Sequence, residues 1–376
     1  MIYLDNSATT QIDEEILDAM MPWMRDFFGN PSSAYALGRK SRVAIEEARE
    51  EIAESINAHP AELIFTSGGT EANNTILKSS CIESNLADAL VISSIEHHAV
   101  SHPAEWLARQ GVTLDILDVD SNGRVQDGWQ DSLRSHRSLI SIMHANNETG
   151  VMQDIQAIRP RVPETCLIHS DAVQSFGKIP LDIQQLGIDF LTLSAHKIHG
   201  PKGIGAMFIR KGIDFKAHQH GGGQERNRRA GTESPALIVG FQYAVRIAMR
   251  EMDARSMHMR SLQDRMRSLI QEHIPQARIN TPENASLSLP SILNVSFQHI
   301  HDGEAILQLM DMAGIAVSNG SACVSGSQQP SHVLKALGLS DTEAKAAVRF
   351  SFSKHNSLEE VERAIQELTT VIDSLS

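Results

Sequence analysis

Three short stretches of this chain place reactive side chains directly after apolar runs. Lys197 stands in Ser194-Ala195-His196-Lys197, just beyond Ile188-Asp189-Phe190-Leu191-Thr192-Leu193, and the chain then turns at Gly200-Pro201. A strand ending there carries an amine out of the core, flanked by a hydroxyl and an imidazole. An amine desolvated at a sheet edge can react with an aldehyde to form a Schiff base. Taken singly, such a lysine reads as a surface residue closing a strand. Two companions weigh against that. Leu167-Ile168-His169 leads into Ser170-Asp171-Ala172-Val173-Gln174, whose aspartate can pair with a pyridinium nitrogen. Ser67-Gly68-Gly69-Thr70 joins Leu63-Ile64-Phe65 to a predicted helix, and the amides that open a helix bind phosphate. Lysine, aspartate and phosphate cup together describe a pocket for pyridoxal phosphate.

The chain has three cysteines and no Cys-x-x-Cys pair, so neither a zinc knuckle nor a disulfide framework is supported. Cys166 opens an apolar run and reads as inert core; Cys81 follows Ser79-Ser80 near a helix end with no evident partner. Cys323 differs. It lies in Asn319-Gly320-Ser321-Ala322-Cys323-Val324-Ser325-Gly326-Ser327-Gln328-Gln329-Pro330, too small and polar to bury a thiol in apolar company. An exposed, reactive thiol is expected. With an ordinary pKa near 8.5 it would be only about 3% thiolate at neutral pH, so neighbouring groups or the substrate must activate it.

Other candidates are weaker. His218 and His220 precede a triple glycine without a third ligand, so no metal site is expected. Arg226, Arg228 and Arg229 form a small basic patch, better placed at a subunit-facing loop than on nucleic acid. Gly200-Pro201-Lys202-Gly203-Ile204-Gly205 has the spacing of neither a Walker loop nor a dinucleotide fingerprint.

The elements that must position these residues are legible. Strands are predicted at Leu63–Phe65, Leu90–Ser93, Thr113–Leu117, Leu139–Met143, Cys166–His169, Phe190–Leu193 and Ile204–Ile209, alternating with helices. Gly68, Glu96-His97, Asn146-Asn147, Asp171 and Lys197 follow strand ends, where open α/β sheets bind ligands. Leu17, Met20, Met21, Met24, Phe27 and Phe28 recur at helical spacing, as do Ile45, Ala48, Ile52 and Ile56, and both sets are read as core stripes. After His220-Gly221-Gly222-Gly223, a helix from about Pro235 to Glu272 leads to a second unit. That unit reads as strand Ile292–Phe297, helix Glu304–Met312, helix Val333–Leu337, strand Val348–Phe352 and helix Leu358–Leu375, the last buried through Val361, Ile365, Leu368 and Ile372. The length of 376 residues calls for more than one domain, and the 41% apolar share suffices for large cores. A net charge of −13 is a poor grip for nucleic acid. The start, Met1-Ile2-Tyr3-Leu4-Asp5, lacks the character of a signal peptide and no apolar run approaches a membrane span, so a cytoplasmic location is expected.

With these residues in hand, the chain resembles the pyridoxal-phosphate enzymes of the class V aminotransferase family. Within them it is similar to the cysteine desulfurases of the nitrogen-fixation and iron–sulfur-assembly type. The resemblance runs nearly end to end, through Tyr3-Leu4-Asp5-Asn6-Ser7-Ala8-Thr9-Thr10, Gly29-Asn30-Pro31-Ser32-Ser33, Thr66-Ser67-Gly68-Gly69-Thr70-Glu71, Asn146-Asn147-Glu148, Ser194-Ala195-His196-Lys197, Gly200-Pro201-Lys202-Gly203 and Gly320-Ser321-Ala322-Cys323. It implies an α/β fold of the aspartate-aminotransferase-like kind (fold type I). A large domain over 13–255 would carry a mostly parallel seven-stranded sheet, and 1–12 with 256–376 would form a smaller α+β domain bearing the cysteine loop.

The same resemblance implies the roles. Lys197 would hold the cofactor and shuttle protons, and Asp171 would keep the pyridinium nitrogen charged. Gln174 and Asn147 would bond the phenolate side. Gly69, Thr70, Ser194 and His196 would hold the phosphate, joined by Thr232 from a neighbouring subunit of a homodimer. His97 would stack on the ring and move a proton; by itself it reads as a structural histidine. Arg349, with Asn147, would bind the substrate carboxylate, although a strand arginine also reads as an ordinary ion pair. Cys323 would take the sulfur of L-cysteine as a persulfide, release L-alanine, and pass the sulfur to an acceptor protein.

The sequence stops at Ser376 without the tail that helps housekeeping members dock their scaffold, and Gln328-Gln329 stands where a leucine–glutamate pair commonly precedes Pro330. Beside iron–sulfur assembly, a specialised acceptor is therefore among the expectations, for tRNA thiolation or DNA phosphorothioation, with a partner protein handling any nucleic acid. Rival readings are a selenocysteine lyase or aminotransferase of the same fold, and a non-catalytic subunit of a sulfur-transfer complex. A required loop thiol discriminates against both.

Overall fold

The structure is a computed structural model and describes residues 1–300, 303–320 and 329–375. A short strand β1 (Ile2–Tyr3) precedes helices α1 (Glu14–Arg25) and α2 (Ala36–Glu54). The α/β part follows as β2 (Leu63–Thr66), α3 (Gly69–Lys78), β3 (Ala89–Ser93), α4 (His98–Arg109), β4 (Thr113–Leu117), β5 (Ser138–Ser141), β6 (Leu167–Asp171), α5 (Ile183–Leu186), β7 (Phe190–Ser194) and β8 (Gly205–Ile209).

Strands β2 to β8 form one seven-stranded sheet in the order β2-β8-β7-β6-β5-β3-β4. Strands β4, β3, β5, β6 and β7 pair in parallel, while β8 runs antiparallel to both of its neighbours. Strands such as β3 and β7 are buried along their whole length, as expected where helices cover both sheet faces. The predicted strands are all present, with ends shifted by one or two residues: Cys166 falls just before β6 and Met143 just beyond β5. Local chemistry sets the short elements. The Asp182 carboxylate accepts from the Gln184 and Gln185 amides to start α5, and Gly187, at φ +64°, ends it.

Helix α6 (Pro235–His273) begins with the proline that suits a first turn and runs unbroken past the sheet. Its first half, including Phe241, Ala244 and Ala248, packs in the sheet core; its second half, including Met259, Leu262 and Met266, packs in a separate core. That second core is built on β9 (Ala277–Ile279), β10 (Ile292–Phe297), α7 (Gly303–Met312), β11 (Ile315–Ala316), β12 (Ala347–Ser351) and α10 (Leu358–Leu375), while α8 (His332–Ala336) and α9 (Asp341–Lys345) pack in a smaller cluster with Ile95, Val119, Met143 and Val151. Strands β12, β10 and β9 are antiparallel, and β1 returns to pair with β11, so the chain start packs in the C-terminal core through Ile2 and Leu4.

The stripes Ile45-Ala48-Ile52-Ile56 and Val361-Ile365-Leu368-Ile372 are buried as expected. The first stripe is not. Of Leu17, Met20, Met21, Met24, Phe27 and Phe28, only Met20 is buried, and Phe28 is 75% exposed. Helix α1 meets α6 through Ile16 and Met20, where a side chain on Gly240 would come within 2.6 Å of the Met20 sulfur. Leu17 and Met21 lie one position round from that contact. Met24 and Phe28 lie where α6 begins, beside Pro235, so they run past the end of the surface that could cover them.

Candidate active site

The sheet's carboxyl ends, the N-terminal segment and β12 enclose a cavity of about 380 Å³. Lining it are Gly69, Thr70, His97, Asn147, Asp171, Gln174, Ser194, His196, Lys197 and Arg349, from six separate parts of the chain. Thr232 lies elsewhere, in an open cleft with Trp23, Phe27 and Phe28. Cys323 lies outside the described residues, but Gly320 and His332, which bracket its segment, line the cavity.

The anion-binding corner forms where β2 turns into α3. Gly68 takes φ +150°, a conformation other residues rarely adopt. A Cβ on Gly205 would lie 2.7 Å from the Gly68 Cα and 2.5 Å from the Leu193 carbonyl, so glycine alone lets β8 start beneath this turn. The uncapped amides of α3 open here, beside Ser194, whose buried hydroxyl has no hydrogen-bond partner among the described residues. His196 contacts Thr9 Oγ1 through Nδ1 at 3.2 Å. Burial, with Lys197, Lys202 and Lys178 nearby, pushes its pKa down to about 3, so the ring is neutral. Amides, an unsatisfied hydroxyl and a neutral imidazole fit a phosphate group.

Lys197 is half-buried, and its Nζ donates to the Ser7 carbonyl and, at 2.7 Å, to the Ala8 carbonyl. Burial, then Arg349 and Lys178, push its pKa down to about 7, against the pull of Asp5 and Asp171. A nucleophilic amine is thus available near neutral pH. Asp171 ends β6, and adjacent β7 ends in Ser194. Its Oδ1 accepts from the Val173 amide at 2.9 Å and its Oδ2 from Asn73 Nδ2 at 2.6 Å. Burial nevertheless raises its pKa, with these two bonds and Lys197 opposing. A buried carboxylate in that state gains from a further cation, such as a pyridinium N–H.

His97 caps α4, its Nδ1 accepting from the Ala99 amide at 3.0 Å. Burial foremost, then Lys197 and the imidazoles of His98, His332 and His102, lower its pKa to about 4. The cap bond puts the proton of the neutral ring on Nε2. Arg349 on β12 is almost fully buried. Its Nη2 donates to Asp5 Oδ1 at 2.6 Å and its Nη1 to the Asn147 carbonyl at 2.9 Å, while Nε has no hydrogen-bond partner among the described residues. The ion pair is therefore real, and Nε is left as a buried donor with no acceptor among the described residues.

Several site residues escaped the sequence reading. Asn73, one turn beyond Gly69 on α3, could have been found from its i, i+4 spacing. Glu148 accepts from Ser331 Oγ at 2.5 Å and abuts Gly320, thereby touching both shoulders of the Cys323 segment. Asp5, Ser7 and Ala8 were quoted in a motif without roles, because carbonyl acceptors leave no mark in residue type. The basic patch is partly consumed: Arg229 pairs with Glu71 and Arg226 donates to the Pro60 carbonyl. His218 pairs with Glu83. Asp13, His199 and His355 converge within 4.8 Å, but Lys354, 2.6 Å from Asp13, already neutralises that carboxylate.

The family profile described as aminotransferase class-V matches residues 2–364. Cysteine desulfurase IscS of Dictyoglomus turgidum is 42% identical over 377 residues, covering 100% of this chain and 95% of its own. A solved structure described as a NifS-like protein superposes with a TM-score of 0.91 at 36% identity over 100% of both chains. SspA in complex with cysteine superposes with a TM-score of 0.82 at 33% identity, covering 95% of this chain and 100% of its own.

Proposed function

The chain belongs to the class-V aminotransferase family and is a cysteine desulfurase, and from that premise we propose that Lys197 anchors pyridoxal phosphate while Cys323 receives the sulfur. Enzymes of this kind depend on that cofactor, which when bound supplies an electron sink for the substrate's carbon–sulfur bond. Ser194, His196 and the Gly69 and Thr70 amides would hold its phosphate, joined by Thr232 of a second copy. Asp171 would accept from the pyridinium nitrogen, and Gln174 and Asn147 would meet the phenolic oxygen.

L-Cysteine would enter with its carboxylate on Arg349, completing the donor set that Asp5 and Asn147 leave at Nε. His97, neutral with its proton on Nε2, would lie over the ring and deliver a proton. Lys197 would take and return a proton at the substrate carbon. The Cys323 thiolate would bond to the substrate sulfur as the carbon–sulfur bond breaks, leaving a persulfide on the enzyme and, after protonation, L-alanine. A thiol of an acceptor protein, serving iron–sulfur assembly, tRNA thiolation or DNA phosphorothioation, would then take the sulfur.

The observation that carries these assignments is Lys197, a half-buried lysine with a pKa pushed down to about 7, sharing one cavity with Asp171 and the unsatisfied Ser194 hydroxyl. A homodimer is part of the proposal: exposed Met24 and Phe28 flank the cleft that holds Thr232, and a second copy would cover them. The change of core along α6 supports a division into 13–255 and 1–12 with 256–376. No helix among the described residues is long and apolar enough to cross a membrane, and we place the enzyme in the cytoplasm. The test is incubation with sulfur-labelled L-cysteine followed by digestion. Label on the peptide containing Cys323, with matching alanine release, is expected; label elsewhere overturns the assignment.

A further inference from the structure

Lys178 is a buried lysine beside the site, and the mechanism above gives it no task. It lies in the turn segment after β6 and faces a small void that Lys197, Asn6 and Thr10 also line. Its Nζ donates to Gln174 Oε1 at 3.3 Å. Gln174 Nε2 donates in turn to the Ser7 carbonyl at 3.0 Å, and that carbonyl also accepts from Lys197 Nζ. A chain of hydrogen bonds therefore connects the two lysines through one glutamine and one backbone oxygen.

The direction of that chain is set by chemistry. An ammonium can only donate and a carbonyl can only accept, so the Gln174 amide has one orientation compatible with both neighbours. Its oxygen must face Lys178, and its nitrogen must face Ser7. We propose that Lys178 is a positioning residue: it fixes which end of Gln174 meets the cofactor's phenolic oxygen, and it adds like charge beside Lys197. This rests on the assignment of pyridoxal phosphate to Lys197.

Electrostatics agree with the geometry. The charged and titratable groups around Lys197 include Asp5, Asp171, Arg349, Lys178, His97 and His196, with His199, Arg255 and Lys354 lining the void it shares with Lys178, and among them Arg349 and Lys178 lower its pKa. Lys178 is itself pushed down to about 8, by burial and then Arg349. At pH 7 it is still mostly charged. Without it, the Gln174 amide could turn its oxygen toward an anionic phenolate, and Lys197 would lose a repelling neighbour.

The test compares the parent, Lys178→Met and Lys178→Arg, each reconstituted with pyridoxal phosphate. The readouts are the pH titration of the cofactor's visible band and the cofactor dissociation constant. Removing a nearby cation favours the protonated form, so the Lys178→Met midpoint should rise by about one pH unit. Cofactor affinity should fall roughly tenfold with the loss of one charge-assisted hydrogen bond. Lys178→Arg, which keeps both charge and donors, should restore both values. A folded Lys178→Met that titrates and binds like the parent overturns the proposal. If that variant does not fold, Lys178→Gln decides: a raised midpoint supports the charge role and an unchanged one overturns it. A parent protein that never develops the visible band would instead sink the cofactor assignment, and this inference with it.

Discussion

Asn73 Nδ2 donates to Asp171 Oδ2 at 2.6 Å, joining helix α3 to the end of strand β6 inside the cavity. The helix that opens with Gly69 and Thr70 thus also holds the carboxylate, so the corners proposed for the phosphate and the ring nitrogen would both be fixed to one element. Because Asp171 is buried, desolvation raises its pKa, and this bond and the one from the Val173 amide oppose that rise.

Asn73→Ala should therefore act through Asp171. Hydrogen bonds to charged groups are worth roughly 1.5–3 kcal/mol, so a loss of about tenfold or more in kcat for alanine release is expected, with KM nearly unchanged. Asp171→Asn should lose more, since it removes the charge itself. Steady-state kinetics on L-cysteine would contradict the coupling if Asn73→Ala matched the parent.

Lys197→Ala should abolish the adduct trapped by borohydride reduction of the pyridoxal-phosphate-loaded protein. Ser7 and Ala8 would keep their carbonyls, but no amine would remain to meet the aldehyde. Mass spectrometry of the digested protein checks this, and an adduct persisting at full yield would show that the wrong lysine was chosen.

Cys323→Ala should retain the cofactor's visible band while losing desulfuration, because the thiol enters only after L-cysteine is bound. Alanine formation is the readout. Undiminished turnover would remove the persulfide step.

Much of this site was readable because its residues stand at strand ends, and the strands themselves announce their positions as unbroken β-branched and apolar runs. Lys197, Asp171 and Ser194 fell into place for that reason. What was not readable depends on meetings between distant segments. Asp5 against Arg349, and Ser7 between Gln174 and Lys197, exist only because β1 pairs with β11 and carries the chain start into the C-terminal core. The α1 stripe failed for a related reason. Helical spacing reports that one face is apolar, not whether another element is long enough to cover it.

The pH dependence of cofactor capture should follow Lys197. Only the neutral amine attacks an aldehyde, so the rate rises with pH through about 7 and levels off above it. An ordinary lysine would still be accelerating toward about pH 10.4. His97 and His196, pushed down to about 4 and about 3, remain neutral throughout and add no step of their own. Stopped-flow mixing of apoenzyme with pyridoxal phosphate from pH 6 to 10 measures the curve, and a rate still climbing beyond pH 9 would contradict the assigned amine.

Arg49 and Glu225 should matter for stability and for the Thr232 loop together. Their side chains form a buried bidentate pair, with both oxygen–nitrogen contacts at 2.8 Å, and Glu225 Oε2 also accepts from the Phe65 amide. Glu225, Arg226 and Asn227 follow one another at φ +44°, +56° and +60°, a run of left-handed residues without a glycine. Such conformations cost on the order of 1–2 kcal/mol each, so the ion pair is what holds the turn in place. Arg49→Met strands the Glu225 carboxylate without its partner, and breaking a buried pair in this way typically costs about 3–5 kcal/mol. A clear fall in the urea midpoint is expected. Glu225→Gln, which can still accept from the Phe65 amide, should fall less. Because the turn leads directly to Thr232, Arg49→Met should also shift sedimentation toward monomer. A variant that stays dimeric, with an unaltered unfolding midpoint, would show that the turn holds itself.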